Sequence, residues 1–147
     1  MKDMTEKEAG KHIVYMRMAV ELSKLSKATR LQVAAFIMSD GRILSTGYNG
    51  TPAGFSNQAE KSGKTLPIVV HAECNAICFA AKYGVPTEGT TLVVTHSPCI
   101  ECAKLILQAG IKRVVFHTGY RDLKPLDFLR EGGVEIYQIQ SLDHDNS

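Results

Sequence analysis

Residues 71–102 read HAECNAICFAAKYGVPTEGTTLVVTHSPCIEC, and the succession of elements across them decides the fold. The stretch from about His71 to Tyr83 reads as a helix stopped by Gly84, with Pro86 beyond it. Glycine just past the end followed by proline is a helix stop signal. Thr90–Thr95 is rich in β-branched residues and reads as a strand. Cys99 opens a second helix that Gly110 closes after Ala109. Helix, strand and helix in immediate succession point to a sheet with crossover helices.

Working outward from this centre, Ile111–His117 reads as a strand and Pro125–Glu131 as a short helix before Gly132-Gly133. Val134–Ile139 is the last strand, and the tail after about Gln140 is expected to be mobile. Toward the N-terminus, Thr5 and Glu8 have capping-box spacing. Tyr15, Met18, Ala19, Leu22 and Leu25 recur at helical steps while Arg17, Glu21 and Lys24 fall elsewhere, which predicts an amphipathic helix ending near Ala28. Val33–Met38 and Arg42–Tyr48 flank Asp40-Gly41, a strong hairpin signal. Asn49–Pro67 is polar and rich in Gly and Pro and reads as a long loop, a frequent carrier of function. The order α-β-β-α-β-α-β-α-β predicts an α/β fold in three α/β/α layers: one mixed five-stranded sheet with helices on both faces.

A chain of 147 residues has the length of one ordinary domain, here expected to span 1–147. Its 44% hydrophobic and 22% charged content argues against disorder, collagen and a small disulfide scaffold. A formal charge of +2 gives no broad basic surface for a polynucleotide. No apolar run approaches the roughly 20 residues that cross a bilayer, so no membrane partner is expected. Lys2, Asp3, Glu6, Lys7, Glu8, Lys11 and Arg17 interrupt the N-terminal region where a signal peptide would be apolar, so the expected location is the cytoplasm. In that reducing compartment four cysteines suggest metal ligation or a reactive thiol before disulfides.

His71, Cys99 and Cys102 lie at the starts of two predicted helices and are ligand types that zinc favours. Three protein ligands leave one coordination position open for chemistry, whereas a structural zinc usually takes four. The helix N-termini favour thiolates at both cysteines. Glu73, two residues from His71, is placed to accept and redeliver a proton of a metal-activated water without being a ligand. Cys-x-x-Cys alone would equally suit a redox pair or half of a structural zinc site; His71, Glu73 and Pro98 favour the catalytic reading. Cys74 and Cys78 are read as buried apolar thiols, with a rival metal site as the alternative. His12, His96, His117 and His144 match no signature and are read as surface or hydrogen-bonded residues.

His71-Ala72-Glu73, Ser97-Pro98-Cys99-Ile100-Glu101-Cys102 and the element order resemble the zinc-dependent cytidine deaminase superfamily. Thr46-Gly47-Tyr48-Asn49-Gly50-Thr51-Pro52-Ala53-Gly54 is similar to the substrate loop of its deoxycytidylate (dCMP) deaminases. The resemblance implies a cytidine-deaminase-like fold and hydrolysis of dCMP to dUMP and ammonia, feeding thymidine nucleotide synthesis. It implies one catalytic Zn2+ per chain on His71, Cys99 and Cys102, with Glu73 moving protons from water to ring N3 and to the departing amine. It places Arg30 and Tyr120 at the phosphate, with Ser26 and Arg121 as further candidates, and Asn49 at the sugar or base edge. Ala72 and Ser97, inside the two motifs, join the substrate-binding candidates.

Relatives often carry Val-Gly-Ala where this chain has Val33-Ala34-Ala35, so Ala34 is expected to narrow the base pocket. No His or Cys lies between Asn49 and Val70, so the second zinc site of some phage relatives is not expected. The resemblance also implies a homo-oligomer, a hexamer first, and dCTP and dTTP as effectors. The alternatives are a bifunctional dCMP/dCTP deaminase, which needs room beyond the first phosphate, another deaminase of the superfamily acting on cytidine, guanine, a riboflavin precursor or tRNA adenosine, or a structural zinc module.

Overall fold

The computed structural model describes residues 4–120 and 122–143. In chain order it contains α1 (Glu6–Ser23), β1 (Ala34–Ser39), β2 (Arg42–Tyr48), β3 (Glu60–Lys61), β4 (Lys64–Thr65), α2 (Ala72–Lys82), β5 (Thr91–His96), α3 (Ile100–Gln108), β6 (Arg113–Thr118), α4 (Lys124–Glu131) and β7 (Glu135–Gln138). The Arg121 and His144 expectations, and the end of the C-terminal tail, lie outside the described residues.

The main sheet is mixed, in the order β2-β1-β5-β6-β7. β1 pairs antiparallel with both β2 and β5, while β5-β6 and β6-β7 are parallel. β2 and β5, the main-sheet strands before and after α2, therefore run parallel but with β1 between them. At the β1-β2 turn Asp40 and Gly41 take φ of 50° and 73°, the left-handed pair that a two-residue hairpin demands.

Period-2 alternation divides the strands between two cores. Ala35, Ile37, Leu92, Val94, Val114 and Phe116 face one side, where they meet Ala72, Ala76 and Ala80 of α2, Ala103 and Ile106 of α3 and Leu126 and Leu129 of α4. Ala34, Phe36, Met38, Val93 and Val115 face the other, where Met16 and Ala19 of α1 cover them. Helices thus lie on both faces, three against one. Ala34 is fully buried beneath α1, on the face away from the pocket described below, so it does not narrow that pocket; Val33 lines it instead.

Two further expectations change. α1 ends at Ser23, not near Ala28, because the chain tightens into three-residue turns from Lys24 to Ser26. The Ser26 hydroxyl there donates to Asn49 O (2.7 Å) and accepts from Ala28 N (3.2 Å), a competition with helical bonding typical of serine. The 49–67 segment is not structureless: β3 and β4 form a small antiparallel pair, and a bridge between Gly50 and Val70 closes its base. Among the described residues no helix is long and apolar enough to cross a membrane.

Candidate active site

α2 and α3 pack side by side with their N-termini at one end of the sheet, where β5 also ends. His71 is the N-cap of α2 and Cys99 the N-cap of α3; both have extended backbone, and neither side chain makes a capping bond. Their functional atoms are therefore free to face each other. His71 Nδ1 lies 3.3 Å from Cys102 Sγ and 3.5 Å from Cys99 Sγ. Cys99 and Cys102, three apart across the first turn of a helix, share one face. The three ligand atoms lie within 4.8 Å of one another, and among the described residues no other His, Cys, Asp or Glu joins the group. Two sulfurs and one imidazole nitrogen, without a fourth protein donor, fit a zinc ion that keeps one position open.

The electrostatics agree. The Cys99 thiol is held down to about 3 by hydrogen bonds from Cys102 and His71. Cys102 is pushed up by its hydrogen bond to Cys99 and by burial. The bare pair thus retains one proton between its sulfurs, which metal binding would release. The hydrogen bond to Cys99 raises the His71 imidazole. Glu73 points inward beside this group, only 4% exposed. Burial pushes its carboxyl up to about 7, with the His71 charge pulling against it. A carboxyl in that range both accepts and releases protons near neutrality.

His71, Ala72, Glu73 and Cys99 line a cavity of about 200 Å3. Arg30, Asn49 and Tyr120, three of the sequence candidates, also line it. Ser26 and Ser97 do not: both are buried, and the Ser97 hydroxyl accepts from Tyr120 N at 2.8 Å. Each hydroxyl instead fixes a neighbour of the cavity, Ser26 the backbone of Asn49 and Ser97 that of Tyr120.

The Asn49 amide is already engaged: Oδ1 accepts from Val33 N (2.9 Å) and Nδ2 donates to Leu31 O (2.8 Å). One N–H and one lone pair remain. The exposed Arg30 side chain donates through Nη1 to Thr65 Oγ1 of β4 at 3.2 Å. Glu60 Oε1 accepts from the backbone N–H groups of Thr29 (2.9 Å) and Arg30 (3.1 Å). Burial and the nearby charge of Glu73 push the Tyr120 phenol up to about 12, so it stays a neutral donor.

Two cavity residues, His96 and Glu60, were missed by the sequence reading. His96 packs its ring 6.0 Å from that of Tyr120, and its place directly before Ser97-Pro98-Cys99 was the available signal. Nothing local in the sequence marked Glu60, which reaches the site only because β3 and β4 fold back over it.

Fold and site together define a candidate zinc site with an open coordination position and a buried carboxyl beside it. The family described as the cytidine and deoxycytidylate deaminase zinc-binding region matches residues 9–118. The deoxycytidylate deaminase of Enterobacteria phage T2 is 34% identical over 178 aligned positions, covering 89% of this chain and 93% of that protein. The human deoxycytidylate deaminase is 40% identical over 111 positions, covering 69% and 61%. The crystal structure of the dCMP deaminase from cyanophage S-TIM5 in complex with dCMP and dUMP superposes with a TM-score of 0.86 at 39% identity, covering 93% of this chain and all of that one. The chain belongs to the cytidine and deoxycytidylate deaminase zinc-binding family, and His71, Cys99 and Cys102 are positioned to hold its one metal ion.

Proposed function

We propose that this chain, as one deaminase domain, hydrolyses dCMP to dUMP and ammonia. The observation that carries the reading is the buried Glu73 carboxyl beside the His71/Cys99/Cys102 group, in a cavity whose rim presents Arg30 and Tyr120. The relatives named deoxycytidylate deaminases and the dCMP complex of the cyanophage enzyme support the choice of substrate.

His71, Cys99 and Cys102 would hold zinc, which when bound lowers the pKa of a water at its open position toward neutrality. Glu73 accepts a proton from the attacking water, delivers it to ring N3, and carries a second proton to the amine that leaves C4. Ala72 forms an apolar wall for the pyrimidine. Arg30 takes the 5′-phosphate with its forked donors, and the Tyr120 phenol adds a neutral donor. Asn49 offers its remaining N–H and lone pair to the sugar, held in place by Leu31, Val33 and Ser26. Ser26 and Ser97 act as positioning residues.

A homo-oligomer and responses to dCTP and dTTP belong to the same proposal. Phe79 and Tyr83, stacked 6.2 Å apart on the exposed side of α2 beside Leu44, support an apolar contact face. Light scattering and rate curves with each nucleotide test these points. The reaction is tested by ammonia release from zinc-quantified protein with dCMP, dCTP, CMP, deoxycytidine and cytosine in parallel. Selective dCMP turnover, absent in Glu73→Ala, supports the reading; zinc-loaded protein that releases no ammonia from any of them refutes it.

A further inference from the structure

We propose that Cys74 and Cys78 form a second metal site, separate from the catalytic centre, that takes one soft, thiolate-seeking cation, Cu(I). The two cysteines are four residues apart on α2 and share one face of the helix. They do not form the buried apolar pair expected from sequence: Cys78 is exposed and Cys74 only half-buried. Ala76 and Ala80, which meet the sheet, each lie two residues further on, about 200° round the helix, so the cysteines stand on the opposite side.

The two Sγ atoms are 3.9 Å apart. Two sulfurs bound about 2.3 Å from one ion stand about 3.8 Å apart at the tetrahedral angle and about 4.0 Å apart at the trigonal one. The helix therefore already holds the pair at the separation that a single shared ion imposes. The pair is also distinct from the catalytic group. His71, Cys99 and Cys102 have their ligand atoms within 4.8 Å of one another, and neither Cys74 nor Cys78 joins them. Cys78 is seven residues beyond His71, about 10 Å along the helix axis.

The donor set selects the ion. Among the described residues no third His, Cys, Asp or Glu groups with the pair. Two sulfurs alone suit a soft ion content with two or three ligands, whereas Zn2+ seeks four and Ca2+ and Mg2+ seek oxygen. Burial, with Cys78 adding to it, pushes the Cys74 thiol up to about 11. Cys74 thus keeps its proton until an ion binds sulfur strongly enough to displace it, which further disfavours hard cations. Two thiolates and one monovalent ion leave a negative charge. Exposed Lys82, four residues beyond Cys78 on the same face, offsets it. Binding forms two S–Cu bonds and releases the thiol protons to solvent, with no change in oxidation state.

The test uses the full-length, zinc-loaded protein. Under anaerobic conditions it receives Cu(I) as the acetonitrile complex, is desalted, and both metals are measured by atomic absorption. One copper per chain with zinc content unchanged is expected, with sulfur neighbours at the copper X-ray absorption edge. Cys78→Ser alters an exposed side chain that the proposed deamination does not use, so it should keep the parent's zinc and ammonia release. Bicinchoninate competition should show its Cu(I) affinity lowered at least about 100-fold, as loss of one arm of a two-armed grip implies. Copper that is not retained, copper gained only as zinc is lost, or equal affinity in Cys78→Ser overturns the proposal. Metal content is the readout, so these outcomes leave the dCMP reading intact, and a protein without dCMP turnover tests the pair equally well.

Discussion

Gly47 lies on β2 where α2 presses closest to the sheet. A Cβ built there would sit 2.4 Å from Ala72 O and 2.6 Å from Ala76 N, against 3.4 Å or more for ordinary contact. Gly47→Ala must therefore drive strand and helix about 1 Å apart, because the obstructing atoms are helix backbone that no rotamer change relieves. Two bonds span the same seam, Ser45 Oγ to Ala76 O at 2.7 Å and Asn75 Nδ2 to Tyr48 O at 2.8 Å, and the separation stretches both. Overpacking costs about 1–3 kcal/mol and weakening the two bonds about 1–3 more, so a loss of roughly 2–6 kcal/mol is expected. For a chain of this size that is a fall in Tm of about 5–20 °C. Ala72 stands between His71 and Glu73, so the same displacement shifts a residue positioned to hold the metal and the proposed proton carrier. A shift of that size costs on the order of 100-fold in rate. Calorimetry, zinc content and ammonia release are measured beside Gly50→Ala, whose added Cβ meets nothing within 4 Å and which should match the parent. A Gly47→Ala protein with the parent's Tm and turnover would refute the reasoning.

Glu73→Gln should keep full zinc content, by atomic absorption, while ammonia release falls at least 100-fold, the usual worth of a positioned acid–base group. Arg30→Gln should raise the KM for dCMP at least tenfold and leave deoxycytidine kinetics nearly unchanged; equal losses on both would remove Arg30 from the phosphate. His12 is 8% exposed, its Nδ1 has no partner, and burial holds its pKa below the usual 6.5. Because the unfolded chain then binds the proton more readily, stability falls as pH drops through 6.5. His12→Phe should add about 1 kcal/mol at pH 7 in denaturant melts, with a margin over the parent that widens toward pH 5; a margin independent of pH would contradict this.

The metal ligands were legible because each belongs to a short local pattern at a helix start, where spacing alone fixes the shared face. The hairpin was legible because Asp40-Gly41 admits few other conformations. What escaped is set by distant partners. The surroundings of Arg30 are supplied by Glu60 and Thr65, residues 30 and 35 positions away, from a small hairpin too short to show periodicity. Ser26, Ser97 and half of the Asn49 amide's hydrogen-bonding capacity are committed to backbone groups, which residue type does not reveal. Ala34 was placed against the pocket because neighbouring positions on a strand differ only in face, and one step of register reverses the answer. β5 settles beside β1, not β2, a pairing decided by how α2 crosses the sheet.

The ligand set has a consequence for the chain as a polymer. His71 and Cys99 are 28 positions apart, so an ion gripping both ties a loop through α2 and β5 into a ring. Treated as a cross-link on the unfolded chain, closing a ring of that length is worth about 3–4 kcal/mol of chain entropy. The ion required for chemistry is therefore also a clasp, and depletion of zinc should open α2 and α3 to proteolysis and hydrogen exchange before the β1-β2 hairpin yields.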